Sequence, residues 1–188
     1  KNSITTDDIE GIGMGVPGPV KDDGTVLKCV NLGWGVFNVE KALSVICGGV
    51  KVKAGNDANV AALGEMWQGG GKGYEDVVMI TLGTGVGGGI IRGGKIVAGT
   101  NGAAGEIGHI PMIDDESECC GCGKKGCLEQ YASANGLVNV AEKYIAAHRT
   151  VETELDLNAG FTAKDVCDAA KAGDKAGLAA VEESMRIL

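Results

Sequence analysis

Apolar and polar positions along the chain switch between a period of two and a period near 3.6, and the switches outline its elements. IEGIGMGV (9–16) is a glycine-rich apolar run ending at the turn PGP, which predicts a strand. Asp22-Asp23-Gly24 then predicts the turn of a short hairpin. From Val39 the apolar residues fall at Val39, Ala42, Leu43, Ile46 and Cys47, the stripe of an amphipathic helix, and Gly48-Gly49 stops it. Val50–Ala54 alternates apolar and basic residues as a strand does. After Gly55-Asn56-Asp57 the stretch Ala58–Trp67 reads as a helix, stopped by Gly69-Gly70-Gly71.

Asp76–Leu82 predicts a buried strand. A glycine-rich turn, Gly89–Arg92, Gly93-Gly94 and Lys95–Ala98 continue it as a meander. Residues 100–127 have little periodicity, whereas Leu128–His148, 162–172 and 174–188 read as helices. The triple glycine at 69–71 predicts a domain boundary, dividing 1–71 from 72–188, and no internal repeat is visible.

Composition adds constraints to this outline. The formal charge of the 188 residues is 17 − 25 = −8, which argues against nucleic-acid or anionic-membrane partners. No apolar run approaches the ~20 residues of a membrane span, and no signal-peptide pattern opens the chain. With aromatics at 4%, the core must come from Val, Ile, Leu and Ala. The chain opens on Lys and stops inside a helical pattern, so it is expected to be a fragment missing both ends. Of 7 Cys, four lie between Cys119 and Cys127; this odd, clustered set reads as metal-binding and cytoplasmic, not as a disulfide framework.

Glycine is the outlier at 33 residues, with no three-residue period and only 3 prolines. Gly13-x-Gly15-x-x-Gly18 and Gly83-x-Gly85-x-x-Gly88 both match a dinucleotide fingerprint, but that fingerprint needs a helix to follow. Gly18 runs into Pro19 and an acidic turn, and Gly88 into the strand-like GGIIRGG, so neither qualifies. In TLGTGVGGGI (81–90), five of the seven residues from 83 to 89 are glycine, which is more than a tight β-turn requires. Backbone N–H groups there can converge on an anion and Thr84 adds a hydroxyl, so Gly83–Gly88 is a candidate phosphate cradle.

Two carboxylate settings complete the candidates. Asn56 or Asp57 can cap the helix that follows them; alternatively, Asp57 is a general base at a strand's C-terminal end. His109 with Cys119, Cys120, Cys122 and Cys127 has the ligand types of a closed tetrahedral Zn²⁺ site. Generic spacing favours Cys119-x-x-Cys122, while Cys120-x-Cys122 remains open. Glu106 and Glu129, near this knuckle in sequence, either join Asn56 in holding hydroxyls of a polyol or sugar or are solvated acids.

Taken in order, GNDAN, LGTGVGGG, NGAAGEIGH (101–109) and the run from His109 through Cys120-x-Cys122-Gly-x-x-Gly-Cys127-x-Glu129 resemble the ROK family of repressors and sugar kinases. NLGW (31–34) and NDANVAALGEMW are similar to its bacterial glucokinases. The resemblance implies an α/β, actin-like ATPase (ribonuclease H-like) fold with two lobes, 1–71 in the first and 72–188 in the second. It also implies ATP-dependent phosphorylation of the glucose 6-hydroxyl, with Asp57 as base. Asn56, Glu106, His109 and Glu129 would hold the sugar. Gly83, Thr84, Gly85, Val86, Gly87 and Gly88 would cradle ATP phosphates bridged by Mg²⁺. His109, Cys120, Cys122 and Cys127 would bind structural Zn²⁺, with Cys119 spare. Other hexoses or N-acetylhexosamines are alternative substrates, a sugar-responsive repressor is the alternative function, and family members are commonly dimers or tetramers. The family's first phosphate loop, an Asp-x-Gly-Gly-Thr segment, is absent from the chain, as is the C-terminal part of the adenosine pocket. The 188 residues alone are therefore expected to have little kinase activity.

Overall fold

The computed structural model describes residues 5, 8–27, 29 and 32–188; Asn31, which opens the NLGW motif, lies outside the described residues. Two units are distinguished, Lys1–Met79 with Gly88–Gly105, and Ile80–Gly87 with Glu106–Leu188.

In the first unit, strand β1 (Ile12–Val16) leads to the small antiparallel pair β2 (Thr25–Val26) and β3 (Phe37–Asn38). Helix α1 (Val39–Ile46) and strand β4 (Val52–Asn56) follow, and β4 lies parallel to β1, with Ile12 opposite Val52 and Val16 opposite Asn56. A parallel pair needs such a crossover. The expected turn at Asp22-Asp23-Gly24 forms, with the Lys21 N–H donating to the Thr25 carbonyl at 2.9 Å. Val16, Val20, Val26, Cys29 and Val39 make the core, with Met14, Trp34 and Ala54 against it. Asn38 caps α1 by accepting from the Lys41 N–H at 2.8 Å. The period that predicts α1 gives its bounds, but its only buried residue is Val39, while Ile46 is 79% exposed. Helix α2 (Asp57–Gln68) starts directly at the end of β4.

β5 (Val77–Leu82), β6 (Val86–Arg92) and β7 (Lys95–Ile96) form a three-stranded sheet in that order, β6 and β7 antiparallel. The tip of the β5–β6 hairpin belongs to the second unit and its outer ends to the first. As the sequence implies, neither G-x-G-x-x-G run is followed by a helix: β2 comes after the first, and the second runs on within β6.

The second unit continues through a 3₁₀ turn (Ile107–His109) and an irregular stretch to α3 (Glu129–Ala132), α4 (Ala134–Ala147), α5 (Ala163–Ala172) and α6 (Lys175–Ile187). The single helix expected over 128–148 is broken at Ser133, which is extended and whose hydroxyl accepts from the Gly136 N–H at 2.9 Å, capping α4. Small residues let the helices approach closely: a Cβ on Gly177 would lie 2.6 Å from the Ala170 nitrogen of α5. Ala141, Leu155, Val166, Ala169, Ala176 and Ala180 form one core cluster; Val86, Leu128, Tyr131, Ala132 and Ile187 form another. No helix among the described residues is long and apolar enough to cross a membrane.

Candidate functional site

At the start of α2, Asn56 takes the cap. Its Oδ1 accepts from the Asn59 N–H at 3.1 Å and its Nδ2 donates to the Gly18 carbonyl at 3.3 Å. Among the described residues, one donor and one acceptor position of this amide are uncommitted. Asp57 is therefore spared the cap role: it is exposed, and among the described residues its recorded hydrogen bond is with its neighbour, the Ala58 N–H, at 2.8 Å. Gly15 of β1 lies beside it, where a Cβ would stand in ordinary contact with Asp57 Cα at 3.4 Å.

The glycine-rich hairpin is tighter than its composition suggests. Only residues 83–85 form the turn, while Val86, Gly87 and Gly88 already belong to β6, with the Val86 side chain buried. None of the glycines from 83 to 89 has a positive φ. At Gly85 and Gly89 the small size serves close approach instead. A Cβ on Gly85 would come within 2.9 Å of Glu129 Oε2. The Gly83 carbonyl accepts from the Ala134 N–H at 2.8 Å, which ties the turn to the start of α4. Thr84 is exposed at the tip.

Behind this turn the second unit gathers the cysteines. The candidate ligand atoms of His109, Cys120, Cys122 and Cys127 all lie within 4.8 Å of one another. Cys120 Sγ is 3.6 Å from His109 Nδ1, and Cys122 Sγ is 3.7 Å from Cys127 Sγ. Ligand atoms about 2.0–2.3 Å from a tetrahedral Zn²⁺ are separated by roughly 3.4–3.8 Å, so the donor set fits that ion. Cys119 is exposed and stands outside the group, paired through its backbone with Lys125. Burial, reinforced by the Glu129 carboxylate, pushes the Cys120 thiol well above the usual range, and burial also raises Cys127.

Glu106 and Glu129 both face His109. Glu129 Oε1 lies 3.4 Å from Nδ1 and accepts from the Cys120 thiol at 3.0 Å, while Glu106 Oε2 lies 3.8 Å from Nε2. Their side chains are only 36% and 24% exposed, so neither is a freely solvated acid.

Other residues with no signal in the sequence support this centre. Gln130 accepts from the Cys127 N–H at 3.0 Å and donates to the Glu118 carbonyl at 3.1 Å. Glu116 is buried against α3 and α4, accepting from the Tyr131 hydroxyl at 2.5 Å and pairing with Lys143 at 3.1 Å. The Tyr131 hydroxyl, the Glu118 N–H and Lys143 hold the Glu116 carboxyl down to about 2, while burial and Glu116 push the Tyr131 phenol upward. These partners lie between 3 and 27 positions apart, with no repeating interval to betray them.

The order and chemistry of these groups match one family throughout. The ROK family model covers residues 2–188. The chain belongs to the ROK family. It has the α/β, actin-like ATPase fold of the ROK sugar kinases. It is 46% identical over 178 residues to a glucokinase of Halalkalibacterium halodurans, covering 93% of this chain and 54% of that one. The chain thus spans about half the length of that relative. The structure of a ROK family glucokinase from Streptomyces griseus, in complex with glucose and AMPPNP, matches with a TM-score of 0.79 at 38% identity, covering 96% of this chain and 59% of that one. A ROK family transcriptional regulator, a homologue of the E. coli MLC protein, matches with a TM-score of 0.81 at 28% identity, covering 94% and 44%.

Proposed function

We propose that this ROK protein is an ATP-dependent glucokinase, transferring the γ-phosphoryl group to the 6-hydroxyl of glucose. The observation that carries this reading is Asp57: Asn56 caps α2, leaving an exposed carboxylate at the end of β4 free to take a proton. A phosphoryl acceptor hydroxyl needs such a base, while catalysis otherwise rests on positioning and electrostatics. The glucokinase relative and the glucose–AMPPNP complex support the same substrates.

In this mechanism Asp57 accepts the 6-hydroxyl proton. Asn56, with one donor and one acceptor uncommitted, holds a sugar hydroxyl. His109 Nε2, Glu106 and Glu129 bind further hydroxyls. The turn at Gly83, Thr84 and Gly85, continued by the backbone of Val86, Gly87 and Gly88, receives phosphates. ATP with Mg²⁺ supplies the transferable phosphoryl group and neutralises its charge. His109 Nδ1, Cys120, Cys122 and Cys127 would hold a structural Zn²⁺, which, with four protein ligands, leaves no open position for chemistry. The division at the triple glycine gives 1–71 as part of one lobe and 72–188 as part of the other, whereas the compact units also join 72–79 and 88–105 to the first. The reaction is placed in the cytoplasm, with the protein as a homo-oligomer.

The likeness to the MLC homologue favours a second reading, a sugar-responsive repressor on the same fold. Asp57→Ala in the full-length gene product separates the two. A kinase loses turnover by roughly 10²–10⁴-fold while still binding glucose. A wild-type gene product that binds glucose without phosphorylating it, and whose glucose response survives Asp57→Ala, would favour the repressor. A panel of glucose, fructose, mannose, N-acetylglucosamine and N-acetylmannosamine fixes the substrate.

A further inference from the structure

We propose that Gln130 is a positioning residue of the metal centre, a clasp that closes the cysteine-bearing loop and sets how slowly the ion leaves. The inference rests on the zinc reading above and concerns a residue outside the ligand set. Three of the four candidate ligands, Cys120, Cys122 and Cys127, lie on one loop, while His109 comes from the 3₁₀ turn. Within the loop, the Cys120 N–H donates to the Lys124 carbonyl at 2.7 Å and the Gly123 N–H to the Cys120 carbonyl at 2.8 Å, so its tip is folded on itself. The base of the loop is joined differently. Glu118, just before the cysteines, and Cys127, at their end, are bridged by the single Gln130 side chain.

The bridge needs one acceptor and one donor on the same planar group. Gln130 Oε1 accepts from the Cys127 N–H at 3.0 Å, and its Nε2 donates to the Glu118 carbonyl at 3.1 Å. Glutamate keeps the acceptor and loses the donor; methionine keeps the length and loses both. The Cys127 thiol is buried, and its backbone is held by the amide of the residue beside Glu129, so opening the clasp frees a ligand without removing one. Groups that orient metal ligands typically change affinity by about 10–100-fold when removed.

The test uses the full-length gene product, loaded with zinc, and follows transfer of the metal to a colorimetric chelator. Wild type should carry one zinc. Gln130→Ala and Gln130→Met should release it roughly 10–100-fold faster, with Gln130→Glu in between. Thermal unfolding of the metal-free forms should be nearly unchanged, a result that separates loss of ligand positioning from general destabilisation. Release from Gln130→Ala and Gln130→Met within about twofold of wild type would overturn the clasp, far below the effect expected of such groups. So would faster release accompanied by equal destabilisation of the metal-free forms. A wild-type chain that binds no zinc overturns the metal reading itself and is recognised before any variant is compared.

Discussion

Glu129 and Gly85 are fitted to each other: the carboxylate occupies space that a side chain on residue 85 would contest, since a Cβ there would come within 2.9 Å of Glu129 Oε2. Gly85 has no positive φ, so its glycine identity answers to this approach and not to turn geometry. Gly85→Ala should therefore leave stability within about 0.5 kcal/mol of wild type, because the contested atom is the end of a flexible chain. On the glucokinase reading, the displaced carboxylate should raise the KM for glucose by roughly tenfold, about the worth of one hydrogen bond to a charged group. Thermal unfolding and steady-state kinetics of the full-length gene product check both; an unaltered KM would remove Glu129 from the sugar site.

Cys120 and Cys119 are neighbours with opposite surroundings. Cys120 is buried beside His109, and Cys119 is exposed and outside the group. Metal analysis of purified Cys120→Ser should show zinc lost, while Cys119→Ser should keep a full equivalent. Equal loss in both would refute the ligand set that uses Cys120 and leaves Cys119 spare.

Glu116 makes a pH signature. Its carboxyl is held down to about 2 from an ordinary 4.5, so the charged form is favoured by folding. The contribution is complete above about pH 5 and fades as pH falls toward 2; at neutral pH it is about 3 kcal/mol. Urea unfolding of wild type and Glu116→Gln, both metal-free, should differ most near pH 7. The difference should shrink steadily below pH 4.5, and a gap independent of pH would contradict the assignment.

Gly126 sits directly before Cys127 with φ +66°, and a Cβ there would overlap the Ile113 carbonyl oxygen. Gly126→Ala meets both the strained backbone and the overlap, so a loss of about 2–4 kcal/mol is expected. Zinc retention should fall with it, because the Gly126 carbonyl also accepts from the Met112 N–H at 2.7 Å. Denaturant titration and metal analysis read the two effects separately.

Local patterns carried the element order and most of the chemistry-bearing residues. The stripe through Val39 and Leu43 marked α1, and the cysteine cluster marked the knuckle, because each is written within about ten consecutive residues. The choice between Asn56 and Asp57 as cap was illegible, since both types cap well and a one-residue shift in helix start decides it. The break at Ser133 was hidden by apolar periodicity running through it, although Ser three residues before Gly136 is an ordinary cap signal. Gln130, Glu116 and Lys143 left no local trace, because their partners are backbone and side-chain atoms met only on folding.

Helix α3 is four residues long, and three of them in succession serve different neighbours: Glu129 the histidine and the hairpin turn, Gln130 the loop base, Tyr131 the buried acid. Successive positions on a helix point about 100° apart, so a single turn radiates like spokes from one hub. A hub so short has no independent settings. Any tilt of its axis reaches the histidine, the cysteine loop and the acid brace together, so a change made for one of these neighbours is felt by the other two.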